Sequence, residues 1–176
     1  SRPNYATKRI NTKRDNLLNI LVYTQCFAPK LGGIESVMTN IASQAAILGH
    51  NVKVLADGSK YFSSKFDNNQ KFEIHRFDQL KFLRKRIKSN FANNLFKDNN
   101  FDKVFFDSWK SLESFDKNIL IKKICLIHGN EILNLKKVDR ILSSLKKADG
   151  IIFNSLYTQK LFFKNLKKLH NKKYKI

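Results

Sequence analysis

Residues 19–56 read NILVYTQCFAPKLGGIESVMTNIASQAAILGHNVKVLA, and this stretch decides the fold. Ile20-Leu21-Val22-Tyr23 is a short continuous apolar run, the pattern of a strand buried on both faces. Ile34, Val37, Met38, Ile41, Ala42, Ala45 and Leu48 then recur at steps of three or four, one buried stripe of a four-turn helix. Gly49 supplies a left-handed residue to end that helix. Val52, Val54 and Ala56 alternate with Lys53 and Leu55 as a second strand. The unit is strand-loop-helix-strand, and a right-handed crossover makes the two strands parallel. Gly32 and Gly33 sit where the loop enters the helix, at the carboxyl end of the first strand. A helix N-terminus there offers unpaired N–H groups and about half a positive charge to an anion. Glycines let a phosphate oxygen approach those groups; the plainer alternative is that they only permit a tight turn.

Outward from this unit, the composition is that of a folded domain. The chain has 176 residues, 42% apolar and 27% charged, enough for one domain with its own core. No apolar run approaches the length of a membrane-spanning helix. Cys26 and Cys125 are far apart and unpaired in spacing. That argues against a disulfide framework or a metal site, fits a reducing cytoplasmic setting, and suggests two small buried residues near strand ends. The net charge is +20. Residues 1–16 carry Arg2, Lys8, Arg9, Lys13 and Arg14 against Asp15, and residues 159–176 carry seven lysines and no acid. Such an excess attracts polyanions, whether nucleic acid, an anionic membrane surface or a phosphorylated ligand. A general lysine and asparagine bias unrelated to binding explains it equally well.

Residues 1–16 lack apolar periodicity and read as a flexible or artificially appended leader, with the domain over 17–176. Residues 57–71 read as a loop around a short element, and Phe72–Phe77 as a third strand. Leu80, Leu83, Ile87, Phe91 and Leu95 predict an amphipathic helix from about Gln79 to Lys97. Its other face carries Lys81, Arg84, Lys85 and Lys88: a solvated face, or a basic surface that holds the protein peripherally on the inner face of an anionic membrane. Asp102–Phe106, Lys122–Ile127 and Gly150–Phe153 are the next strands. Val138, Ile141, Leu142 and Leu145 stripe the helix before the last of these; Leu156, Leu161, Phe162, Leu166 and Leu169 stripe the helix after it. The expectation is an α/β fold, a doubly wound, mostly parallel sheet of six or seven strands with helices on both faces. If the first, fourth, fifth and sixth strands are neighbours, their carboxyl-end loops bring together Gly32-Gly33, Asp107-Ser108-Trp109, His128-Gly129-Asn130-Glu131 and Asn154-Ser155. His128 by itself reads as a site residue or a capping histidine, and Glu131 as a ligand group or a solvent-facing helix-start carboxylate. Ser155 reads as a helix cap, and Trp109 as a stacking surface for a sugar.

Four motifs in order carry a resemblance. Phe27-Ala28-Pro29-x-x-Gly32-Gly33-Ile34-Glu35 with Leu48-Gly49-His50-x-Val52-x-Val54-Leu55 resembles the N-terminal domain of the glycosyltransferase group 1 enzymes, the retaining GT-B family four. Leu126-Ile127-His128-Gly129-Asn130-Glu131 resembles its histidine strand end, and Lys147-Ala148-Asp149-Gly150-Ile151-Ile152-Phe153-Asn154-Ser155 its Ala-Asp strand. Tyr174-Lys175-Ile176 resembles the strand leading to the inter-domain hinge, so the likeness spans about residues 18–176. It implies transfer of a sugar from a nucleotide-sugar donor to a saccharide or lipid-linked acceptor, with no metal and no cofactor. His128 would lie near the transferred sugar. Gly32, Gly33 and Lys30, with Asn130 and Glu131, would serve donor phosphate or acceptor, and Asp107, Ser108 and Trp109 the acceptor. The family's donor domain, with its Glu-x7-Glu segment and basic phosphate clamp, has no counterpart here. The expectation is an acceptor-side half whose isolated chain is inactive.

Other classes fit less well. The first turn lacks the Gly-x-Gly-x-x-Gly of dinucleotide enzymes, and no Gly-Lys-Ser/Thr follows the glycines as in phosphate-loop nucleotidases. A basic nucleic-acid-binding module rests on charge alone and is disfavoured, since most of the fifteen phenylalanines fall on expected buried stripes. A standalone sugar- or lipid-binding domain is the remaining alternative.

Overall fold

The structure is a computed structural model that describes residues 17–115, 119–129, 133, 135–165 and 174–175. The strands are β1 (Asn19–Thr24), β2 (Asn51–Asp57), β3 (Glu73–Phe77), β4 (Lys103–Phe106), β5 (Lys122–Ile127), β6 (Gly150–Phe153) and β7 (Tyr174–Lys175). They form one sheet in the order β3-β2-β1-β4-β5-β6-β7, every neighbouring pair parallel. The expected doubly wound sheet is therefore present. Its order places β4 between β1 and β5, two strand spacings or about 10 Å apart.

The helices are α1 (Gly33–Ile47), α2 (Lys60–Asp67), α3 (Lys81–Asp98), α4 (Trp109–Glu113), α5 (Val138–Leu145) and α6 (Leu156–Asn165). Helix α1 buries Met38, Ala42 and Ala45 against Val22, Val54 and Leu126 on one face of the sheet. The other face packs Leu21, Tyr23, Val104 and Phe106 against Ala92 and Leu95 of α3, Leu112 of α4 and Ile141 and Leu145 of α5. Gly49 ends α1 at φ 90°, its N–H bonding Ala46 O at 3.0 Å, as expected. Asp149 accepts Lys123 N–H at 2.7 Å while its own N–H bonds Lys123 O at 2.8 Å, which pins β6 onto β5. Cys125 is buried in β5 and Cys26 is half-buried just past β1.

Residues 57–71 contain the helix α2, the short element expected there. Two expectations change. Helix α4 occupies part of what read as a loop after the fourth strand. Only the first half of the α3 stripe is turned out: Leu80, Leu83 and Ile87 face solvent and Lys88 and Ala92 are buried, while Phe91 packs against the core and Leu95 is buried as expected. The leader, Asn130, Glu131 and residues 166–169 lie outside the described residues. Among the described residues no helix is long and apolar enough to cross a membrane.

Candidate functional site

Parallel register sets the site. Tyr23 pairs with Phe106 and Phe106 with Cys125, so the chain leaves β1, β4 and β5 at one carboxyl edge. Asp107, the first residue beyond β4, joins the three exits. Its carboxylate accepts the N–H of Gln25 at 2.7 Å and of Cys26 at 3.2 Å, fixing the loop after β1. It also accepts the hydroxyls of Ser111 at 2.5 Å and Ser108 at 3.3 Å, fixing the start of α4. Its backbone carbonyl bonds His128 Nε2 at 2.9 Å. A carbonyl only accepts, so Nε2 carries the proton. Asp107 is thus a buried brace between the glycine loop and the histidine, in place of the expected acceptor-facing role.

His128 is half-buried. Burial pushes its pKa below the ordinary histidine value, against the opposing pull of the Asp107 carbonyl and carboxylate, so the ring is neutral at pH 7. Its own carbonyl accepts Asn154 Nδ2 at 3.3 Å. Gly129 follows at φ 102°, and a Cβ there would stand 3.2 Å from Thr158 Oγ1. Ser155 caps α6 by accepting Thr158 N–H at 3.1 Å, as its position predicts.

The two glycines differ. Glu35 folds back over the first turn of α1 and is buried, its Oε2 only 2.1 Å from where a Cβ on Gly32 would stand. A Cβ on Gly33 would meet nothing within 4 Å. A Cβ on Gly32 would therefore have to displace the Glu35 carboxylate, and Gly33 faces open space at the helix N-terminus. Lys30 is 79% exposed and pairs with Glu35 at 3.7 Å.

A cavity of about 370 Å³ opens beside this loop, lined by Gln25, Lys30, Asp57, Ser59, Phe62 and Arg76. Arg76 forms part of its wall, bonded to both Asp67 oxygens at 2.6 and 3.0 Å and to Ala28 O at 2.5 Å. A larger cavity, about 610 Å³, lies at the amino edge near Asn19, His50, Asn51, Glu73 and Asn99. Polar groups there already satisfy one another: Asn51 bonds Asn19 at 2.9 Å, and Glu73 pairs with Lys53 at 3.0 Å and His75 at 2.7 Å. That edge also lacks the helix N-termini that attract anions, so the smaller cavity is the better ligand candidate. Neither cavity is lined by His128.

The chain matches no protein-family model and no curated protein.

Two groups of expected residues are corrected. Trp109 is 1% exposed, packed near the Arg140 guanidinium at 5.5 Å, and offers no face to a sugar. Of the proposed membrane-facing cations, Lys88 is buried, its ammonium donating to Thr24 O at 2.8 Å and Asp57 Oδ1 at 2.6 Å over the Tyr23 ring. Burial lowers its pKa and Asp57 opposes that. Arg84 pairs with the other Asp57 oxygen at 3.1 Å, and Lys85 reaches Glu113 at 4.0 Å. Lys81 alone of the four makes no ion pair among the described residues.

Sequence reading missed Glu35, Gln25 and the brace at Asp107. Glycine at the cap with glutamate three residues on is a capping-box spacing and was the available signal for Glu35. Asp107 had none, because its partners lie 82 and 81 residues away. Among the described residues no group of three or more His, Cys, Asp or Glu is placed to hold a metal ion.

Proposed function

We propose that this chain is the acceptor-side, Rossmann-like half of a retaining glycosyltransferase acting in the cytoplasm, moving a sugar from a nucleotide-sugar to a saccharide or lipid-linked acceptor. The observation that carries this reading is the Asp107 brace, which ties the start of the loop after β1, at Gln25 and Cys26, to His128 on one sheet edge. Breaking the bond from sugar to diphosphate builds negative charge on the leaving group. The N-terminus of α1, open at Gly33, stabilises that charge once the Glu35 carboxylate at its first turn is displaced. The His128 ring, oriented through Nε2 and neutral, hydrogen-bonds the sugar or the acceptor hydroxyl without adding charge. The Asp107 carboxylate already accepts four hydrogen bonds and is no nucleophile. A same-face route, in which the leaving phosphate takes the acceptor's proton, needs none.

The test is transfer of radiolabelled hexose from uridine-, guanosine- and adenosine-diphosphate donors by the full-length gene product. Transfer that His128→Ala lowers about a hundredfold or more, with the fold intact, supports the assignment. No transfer from any donor, or transfer indifferent to His128, refutes it. The 176-residue chain by itself is expected to transfer negligibly.

A further inference from the structure

Helices α2 and α3 begin at the same carboxyl edge, since β2 and β3 end in register at Asp57 and Phe77 and Gly58 N–H bonds Phe77 O at 2.8 Å. Their opening turns expose six large apolar side chains: Tyr61 and Phe62 on α2, each 83% exposed, Leu80 just before α3, and Phe82, Leu83 and Ile87 in its first two turns. Single exposed apolar residues are ordinary, but a cluster at one edge marks a surface that meets something. The cluster exists because α3 turns Lys88 inward to Asp57 and Thr24, which rolls the aliphatic stripe outward beyond the edge strand β3.

Charge selects the occupant. Within residues 57–88, Asp57 is held by Lys88 and Arg84, Asp67 by Arg76, and Glu73 lies at the opposite edge with Lys53. Exposed Lys60, Lys65, Lys71, Lys81 and Arg86 are left against Asp78, and of these Lys60, Lys81 and Arg86 lie in the opening turns of α2 and α3. A second copy would bring the same cations on a chain of net charge +20 and be repelled. Nucleic acid would engage the cations but leave Leu80, Leu83 and Ile87 wet, since aliphatic side chains offer no stacking face. A lamellar anionic surface satisfies both halves at once.

We propose that the first turns of α2 and α3 dock this protein onto an anionic lipid bilayer, with Tyr61, Phe62 and Phe82 entering the interface and Lys60, Lys81 and Arg86 meeting lipid phosphates. Docking there places the cavity beside Phe62 at the lipid surface. It is independent of the sugar-transfer reading, because it is measured with neither donor nor acceptor.

The test is co-sedimentation with phosphatidylcholine vesicles with and without phosphatidylglycerol, in low and high salt. Tyr61→Ser/Phe62→Ser/Phe82→Ser should lower partitioning into anionic vesicles about a hundredfold, and Lys81→Gln/Arg86→Gln about tenfold. Lys71→Gln/Lys122→Gln, at the amino edge, should change it less than about threefold, whereas generic attraction to a basic chain would weigh both pairs of substitutions alike. The Trp fluorescence of Phe82→Trp should shift blue on anionic vesicles and be quenched by brominated lipid. All substituted side chains are exposed, and circular dichroism checks the fold. Equal binding to neutral and anionic vesicles, equal losses for the two lysine-arginine and lysine-lysine pairs, or a dimer dissolved by the aromatic variant without vesicle binding, each overturns the proposal.

Discussion

Replacing Gly33 with alanine should stabilise the fold while removing whatever ligand needs the glycine. Gly33 is the first residue of α1, and a Cβ there meets no atom within 4 Å. Its φ is not in the left-handed range that only Gly49, Gly58 and Gly129 occupy among the described residues. The native state therefore accepts alanine without strain, and the unfolded chain loses glycine's extra freedom. The gain is about 0.4–1 kcal/mol. For a domain of this size that is a rise of about 1–4 °C in Tm. Gly32→Ala is the contrast: its Cβ would fall 2.1 Å from Glu35 Oε2, and Glu35 is buried. Displacing that carboxylate should destabilise by about 1–3 kcal/mol. Glu35→Ala in the same chain should remove most of the penalty, a coupling that a double-mutant cycle by urea unfolding measures directly. Loss of stability in Gly33→Ala, or additive effects at Gly32 and Glu35, would refute the account of this turn. If the proposed function holds, Gly33→Ala should also weaken binding of a nucleotide diphosphate while leaving Tm raised.

Other expectations follow from the same edge. Asp107→Ala strands the Gln25 and Cys26 N–H groups and should cost about 2–4 kcal/mol in urea unfolding, Asp107→Asn less because one acceptor oxygen remains. Lys88→Met should destabilise by about 2–4 kcal/mol, since it removes the ammonium from Thr24 O and leaves Asp57 with Arg84 alone. The Cys26 thiol, pushed up to about 11 by burial and by Asp107, should alkylate with iodoacetamide at pH 8 about a hundredfold more slowly than a free thiol. His128 has a folded pKa below its unfolded value, so the unfolded chain binds the proton first. Its contribution to stability is complete above about pH 6.5 and is lost as pH falls through the folded pKa; a His128 NMR titration midpoint above 6.5 would contradict this.

The sheet was legible because its strands announce themselves locally. Ile20–Tyr23 and Gly150–Phe153 are apolar runs of strand length, and the α1 stripe has one period and one terminating glycine. The roll of α3 was not legible. Its best stripe, Leu80-Leu83-Ile87, is apolar, yet a lysine takes the buried position because two acceptors, Thr24 O and Asp57, wait for it across the sheet edge. Periodicity weighs hydrophobicity and cannot see an acceptor 64 residues away. Trp109 illustrates the same limit: an aromatic after a strand end looks available until α5 brings Arg140 over it. The placement of the glycines and the histidine at one edge was legible from the strand pattern, the brace not at all.

Glu35 gives α1 a resident counter-ion. An incoming anion is therefore weighed against a carboxylate already seated at the first turn, not against empty solvent. A singly charged visitor gains little from the exchange. One of higher valence gains the difference, and evicting Glu35 also breaks its pairing with Lys30, leaving that ammonium for the newcomer. If the proposed function holds, this would bias the turn by valence toward diphosphates over carboxylates and halides, a selectivity that the glycines alone would not confer.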